Sequence, residues 1–344
     1  MHREFSYDFV RFVAMVFVVG VHARSVLVGL SGIESIALSA LNTIVFTCNP
    51  LFFMLSGFFN VRKRTTRNDL LEWYGKKAKG LLIPIIVYFF LRTLHDSWNL
   101  VDNPVVLFGT FAHNLLSGFI SSEYWFVYSL LALLAAAPFL ARMIDSMSDF
   151  ECRALVALCL IFNLIQTVIL NIEVSFSWTF MFKDYAVYFL LGAILPRLVI
   201  TQEQRTLLKL LGIIGVLSTT LVTALGFSAR AFDTSPLFTL VSVGMYYVLL
   251  DTGARIGSCP AISFAARHSF GVYFVHMVLL QKVIPYIGST FGLDTGFVAY
   301  GLAVLLCVAL SLIVAFMFDS VLVRPIQIAF DAVLSLCKRR SESL

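Results

Sequence analysis

Ten stretches of predominantly apolar sequence start near residues 9, 36, 80, 123, 154, 184, 208, 236, 268 and 296, with short polar breaks between them. About 20 apolar residues suffice to cross the hydrocarbon of a bilayer as a helix, and lipid-facing backbone must satisfy its hydrogen bonds internally. The chain is therefore read as an all-α integral membrane protein of about ten transmembrane helices. Composition agrees: 59% of its 344 residues are hydrophobic and 13% charged, where soluble domains carry nearly twice that charge. The first run is too long for the apolar region of a secretory signal and lacks a small-residue cleavage site, so it is read as a retained first span. The segment at 102–120, broken by Asn, Pro, His and Gly, reads as re-entrant or interfacial, with an extra span as the alternative.

Charge orients these spans. With ten crossings, 19 of the 25 Lys and Arg residues fall on the side of the two termini. They concentrate between Arg62 and Lys79 and recur at Arg142, Arg153, Arg197, Arg205, Lys209, Arg255, Arg267 and Arg324 to Arg340. The positive-inside rule then puts both termini in the cytoplasm. The net charge of +5 follows from this topology and asks for no nucleic-acid partner. Residues 1–344 read as a single membrane domain, without internal repeat and without an appended soluble domain. Six cysteines (Cys48, Cys152, Cys159, Cys259, Cys307, Cys337) form no CxxC pair, and neither a metal site nor a disulfide frame is expected.

Polar residues inside these runs are costly, so each is a candidate functional group. In the stretch DFVRFVAMVFVVGVHARSV, Arg11 and His22 are eleven residues apart. At about 100° per residue they share one face of a helix, roughly 16 Å apart along its axis, and Asp8 lies on the same stripe. Arg11 fits a snorkelling anchor as well as a functional cation, and His22 fits a packed imidazole as well as a base. In NPLFFMLSGFF, Pro50 is expected to interrupt and bend the second span, while Ser56 and Gly57 permit close helix approach. The basic segment ending in YGKKAKG puts Lys76 and Lys79 one turn apart at the start of the third span. It suits anionic lipid headgroups or the phosphates of a nucleotide-like donor. In RHSFGVYFVH, His276 lies mid-span with Ser269 and Tyr273 on its helical face. Trp125 stands at the outer interface at the head of EYWFVYSLLALL, and Arg92, His95 and Asp96 form an outer polar patch.

In this order, the Asp8–Arg11–His22 span, PLFFMLSGFF, EYWFVYSLLALLAAAPFL and RHSFGVYFVH resemble the acyltransferase 3 family of membrane-bound O-acyltransferases. The resemblance extends over essentially the whole chain. It implies transfer of an acyl group, most often acetyl, from cytoplasmic acyl-CoA to a hydroxyl of a glycan or lipid-linked sugar beyond a bacterial inner membrane. CoA is then the donor substrate, with no cofactor held. Arg11 and His22 match the family's arginine–histidine pair, and Lys76 and Lys79 align with its basic pair after the second span. The implied roles are His22 as general base, with His276 as second candidate. Arg11, Lys76 and Lys79 would contact the donor, with Asp8, Ser56, Trp125, Ser269 and Tyr273 in support. Many relatives append an extracytoplasmic esterase-like domain; this chain would act alone or with a separate partner. A secondary transporter and a non-enzymatic subunit of a polysaccharide-export assembly stay open beside this reading. A transporter would show paired halves with broken helices, and no such duplication is visible.

Overall fold

The computed structural model describes residues 4–61, 66–118, 120–171, 185–225 and 235–342. Among these the protein is helical throughout. The first helices are α1 (Phe5–Ala23), α2 (Ile33–Val45), α3 (Cys48–Asn60), α4 (Arg67–Lys77) and α5 (Ile83–Asp96). α6 (Pro104–Ser117), α7 (Trp125–Ser146), α8 (Asp149–Asn171), α9 (Ala186–Ile194) and α10 (Gln202–Ala224) follow, then α11 (Pro236–Ile256), α12 (Pro260–Phe291), α13 (Phe297–Phe318) and α14 (Arg324–Glu342). Nine helical segments among the described residues are long and apolar enough to cross a membrane. The tenth expected span, from about residue 184, is represented by α9, of nine residues; the residues just before it lie outside the described ones.

Contacts at the helix ends sort the termini of the spans onto two faces. On one face Arg197 bonds Asp145 at 2.9 Å and the Val61 carbonyl at 3.1 Å, Lys209 meets Asp251 at 2.8 Å, and Lys79 pairs with Asp331. Ser6 packs against Gly253 there, and His268 lies 2.7 Å from Asp319. On the other face Arg24 reaches Asn42 at 3.1 Å, Arg92 reaches Glu123 at 3.2 Å, and the Gly296 amide donates to the Val26 carbonyl at 3.0 Å. The first face is the one that gathers the chain's basic residues. α6, at 14 residues, spans only about 21 Å, short of a full crossing. It is tied to the second face where Tyr128 donates to the Leu115 carbonyl at 2.8 Å and Phe108 and Phe111 contact Phe90.

The second apolar run differs from its expectation. Ile33–Asn60 is two helices broken at Phe46 and Thr47, ahead of Pro50. Thr47 turns its hydroxyl onto the Ile44 carbonyl at 2.6 Å, ending α2. Pro50 falls in the first turn of α3, where a missing N–H costs no intrahelical bond, so it starts a helix instead of bending one. The third span also begins earlier than expected. A reciprocal cap between Thr66 and Asp69 opens α4, which continues through a π-helical turn, Ala78–Leu82, into α5.

In lipid the helices gain little from leaving water, so association rests on close packing and interhelical hydrogen bonds. α3 and α9 cross at Gly57 and Gly192, so closely that a Cβ on either would lie 1.9 Å from a carbonyl oxygen of the other helix. Around this crossing an aromatic layer fills the interior. Phe89 stacks on Tyr124 at 4.7 Å and Tyr88 on Phe274 at 5.0 Å, while Phe126 meets Phe53 edge-on at 4.8 Å. α1 runs through the middle, packed on α3, α11 and α12. That position puts its polar residues inside the protein.

Candidate functional site

α1 and α12 lie side by side, and each brings one histidine to their contact. The His22 and His276 rings are 5.1 Å apart, centroid to centroid. His276 is fully buried. Its Nδ1 lies 2.6 Å from the Tyr273 carbonyl, and a carbonyl can only accept, so the ring hydrogen of a neutral His276 sits on Nδ1. Nε2 then carries the lone pair, and it has no hydrogen-bond partner among the described residues. One turn back along α12, Tyr273 places its ring 5.9 Å from His276 and donates its hydroxyl to the Glu123 carbonyl.

Two cavities approach this trio from opposite faces. The inner one, about 240 Å³, begins on the basic face. Arg11, Lys76 and Lys77 supply its charge, Ser56 and Asn60 on α3 and Ser269 on α12 its polarity, and Phe52, Phe126 and Tyr273 its inner walls. The outer one, about 420 Å³, is lined by His22, Arg24, Ser25 and Asn42 among Val21, Leu27 and Leu38. The two share no lining residue. Between them stand the rings of His22, His276 and Tyr273.

The helical periodicity of α1 therefore puts Arg11 at one cavity and His22 at the other. Arg11 is oriented by Asp8 at 3.6 Å, a buried carboxylate, and by the Phe59 ring at 5.6 Å. Lys76 lines the inner cavity while pairing with Glu72 at 2.5 Å. Lys79 does not line it: its ammonium pairs with Asp331 and its carbonyl accepts from Gln327 at 2.9 Å. Lys77 stands at the cavity instead, its ammonium 5.8 Å from the Trp73 ring. The π-helical turn accounts for the exchange. Its wider spacing rotates Lys79 off the stripe that a regular helix would share with Lys76. Trp125 also lies off both cavities, packed on Tyr185 at 4.9 Å.

Glu123 is the acid the sequence left unassigned. It is buried at the outer end of α7, accepting from Arg92 at 3.2 Å and from the Ser121 hydroxyl. Its signal was an acid at the head of a long apolar run. Arg92 and Glu123 thus tie α5 to α7, and the Tyr273 hydroxyl ties both to α12. Among the described residues no group of three or more His, Cys, Asp and Glu is placed to hold a metal ion. Chemically, the arrangement offers cations for a polyanion at one face and paired imidazoles for proton transfer at the membrane's interior.

No curated protein and no solved structure gives a match to this chain. The family model described as an acyltransferase domain matches residues 4–318. That range takes in both cavities, both histidines and every cation at the inner cavity. A multi-pass helical membrane protein with this site, matched over nearly its whole length, belongs to the acyltransferase 3 family.

Proposed function

We propose that the protein moves an acyl group, acetyl by preference, from cytoplasmic acyl-CoA to a hydroxyl of a glycan or lipid-linked sugar on the far side of a bacterial inner membrane. The family gives the reaction type. The division of donor and acceptor between two faces is supported by one observation: two cavities, one with a basic lining and one with an imidazole, meet across His22, His276 and Tyr273. The basic face is taken as cytoplasmic, with both termini on it. Arg11, Lys76 and Lys77 hold the donor's phosphates through charge-assisted hydrogen bonds. From there the acyl-pantetheine arm runs inward along α1 towards Tyr273. The acceptor enters the outer cavity beside His22.

A thioester is already activated, so the protein's work is to align it, deprotonate the hydroxyl and exclude water. As the acceptor oxygen attacks the thioester carbonyl, its proton passes to a ring nitrogen of His22. The new C–O bond forms, the C–S bond breaks, and the imidazolium returns the proton to the leaving thiolate. Ester and free CoA thiol are the products, and His22 is regenerated. His276 packs its ring 5.1 Å from that of His22 and holds it in register.

Reconstitution tests this. Purified protein in vesicles of uniform orientation, with labelled acetyl-CoA on the basic face and an oligosaccharide on the other, should yield acetylated sugar by mass spectrometry. Reversing the two compartments should abolish the product. Transfer that ignores sidedness would refute the two-cavity reading, and uptake of unmodified sugar would make the protein a transporter.

A further inference from the structure

Arg24 follows His22 by two residues, in the 3₁₀ turn Arg24–Val26 that closes α1. Its guanidinium is held from three sides. Nε donates to the Val21 carbonyl at 2.8 Å, one terminal nitrogen donates to Asn42 Oδ1 at 3.1 Å, and its carbon lies 4.5 Å from the centre of the Phe46 ring. Among the described residues no carboxylate pairs with it. This sets it apart from Arg92, Arg197, Arg205 and Lys209, each of which meets an Asp or Glu. Orientation of the chain does not require it either, because it stands on the face opposite the basic one. A partly buried cation without a counter-charge is costly at this depth. Here it is braced in a fixed pose and lines the outer cavity beside His22.

We infer that Arg24 binds an anionic group on the acceptor, a carboxylate or a phosphate close to the hydroxyl that His22 activates. The acceptor class is therefore an acidic sugar or a phosphate-bearing one, not a neutral glycan. The inference rests on the acyl-transfer reading. Guanidinium geometry suits it, since two parallel N–H donors grip one carboxylate or phosphate and fix the sugar's orientation at the base.

The test uses three oligosaccharides alike except at one terminal residue, glucose, glucuronate or glucose 6-phosphate, in transfer and in calorimetric binding to the purified full-length protein. An anionic sugar should exceed the neutral one about tenfold to a hundredfold, the span of a charge-assisted contact. Whichever anion leads identifies the source of the charge. Arg24→Gln should erase that ratio by bringing the anionic sugars' values down to the neutral sugar's, while Arg24→Lys, which keeps the charge without the fork, should retain part of it. Equal use of all three sugars by the unaltered protein, an unchanged ratio in Arg24→Gln, or binding of none of them would each overturn the inference. Acetyl-CoA binding measured on the same samples separates this failure from that of the acyltransferase reading, which alone predicts donor affinity.

Discussion

Replacing Gly57 with alanine perturbs the α3–α9 crossing in a way the geometry makes calculable. The added Cβ would stand 1.9 Å from the Phe189 carbonyl oxygen and 3.2 Å from the Ala193 nitrogen. Both are backbone atoms on a helix and cannot swing aside. Ordinary contact begins at 3.4 Å, so the helices must part by about 1.5 Å along that line. Gaps of 0.5–1 Å already forfeit a quarter to a half of the dispersion well, and in lipid that dispersion is the main attraction between helices. A loss of about 1–3 kcal/mol follows, the usual cost of overpacking. Gly192→Ala strains the same crossing against the Met54 carbonyl, also at 1.9 Å. Once one alanine has opened the gap, the second finds room, so the double variant should lose less than the sum of the singles, by about 0.5 kcal/mol or more. Thermal unfolding of detergent-purified protein, followed by helical circular dichroism, measures all three. Singles that unfold like the parent, or a strictly additive double variant, would refute this account of the crossing.

His22→Ala should slow transfer about 10²–10⁴-fold, the usual contribution of a positioned base, with acetyl-CoA binding retained because the donor's phosphates sit at the other cavity; loss confined to yield and melting temperature would make His22 a packing residue. His276→Ala should also lower turnover, and if it alone does so the base is His276. Joint replacement of Lys76 and Lys77 by Gln should raise KM for acyl-CoA with little change in kcat. Lys79→Gln, which breaks the pair with Asp331, should lower stability and leave KM alone; the reverse pattern would restore Lys79 to the donor site. Reporter fusions after residues 70 and 344 should both report the cytoplasm, and an external signal from either would invert the orientation.

What the sequence made legible is what helical periodicity and hydropathy encode. The shared stripe of Arg11 and His22 needs only a regular α1, and that of Ser269, Tyr273 and His276 only a regular α12. Neither pattern announces that His22 and His276 touch, because that contact joins helices at opposite ends of the chain and depends on how α1 threads the bundle. Lys77 was out of reach for a different reason. A π-helical turn leaves no reliable mark in composition, yet it resets which lysine faces inward. Pro50 misled by rule: a proline within an apolar run suggests a kink, but the break had already been made by Thr47. Arg24 is one more arginine at a span end in the sequence, and what distinguishes it is that no carboxylate among the described residues pairs with it.

The three rings between the cavities have an electrical meaning. Elsewhere the bilayer insulates with about 30 Å of hydrocarbon; here two indentations reduce the insulator to His22, His276 and Tyr273. A membrane voltage applied across the protein falls mainly over that thin partition. Under the proposed chemistry the acceptor's proton enters from the outer side of the partition and leaves with the thiol on the inner side. The acyl group crosses the same partition the other way, a formal acylium outward for each proton inward, so each turnover carries no net charge and its equilibrium does not depend on the membrane potential. The partition that keeps the compartments apart would thereby let a sugar be modified without drawing on or dissipating the membrane voltage.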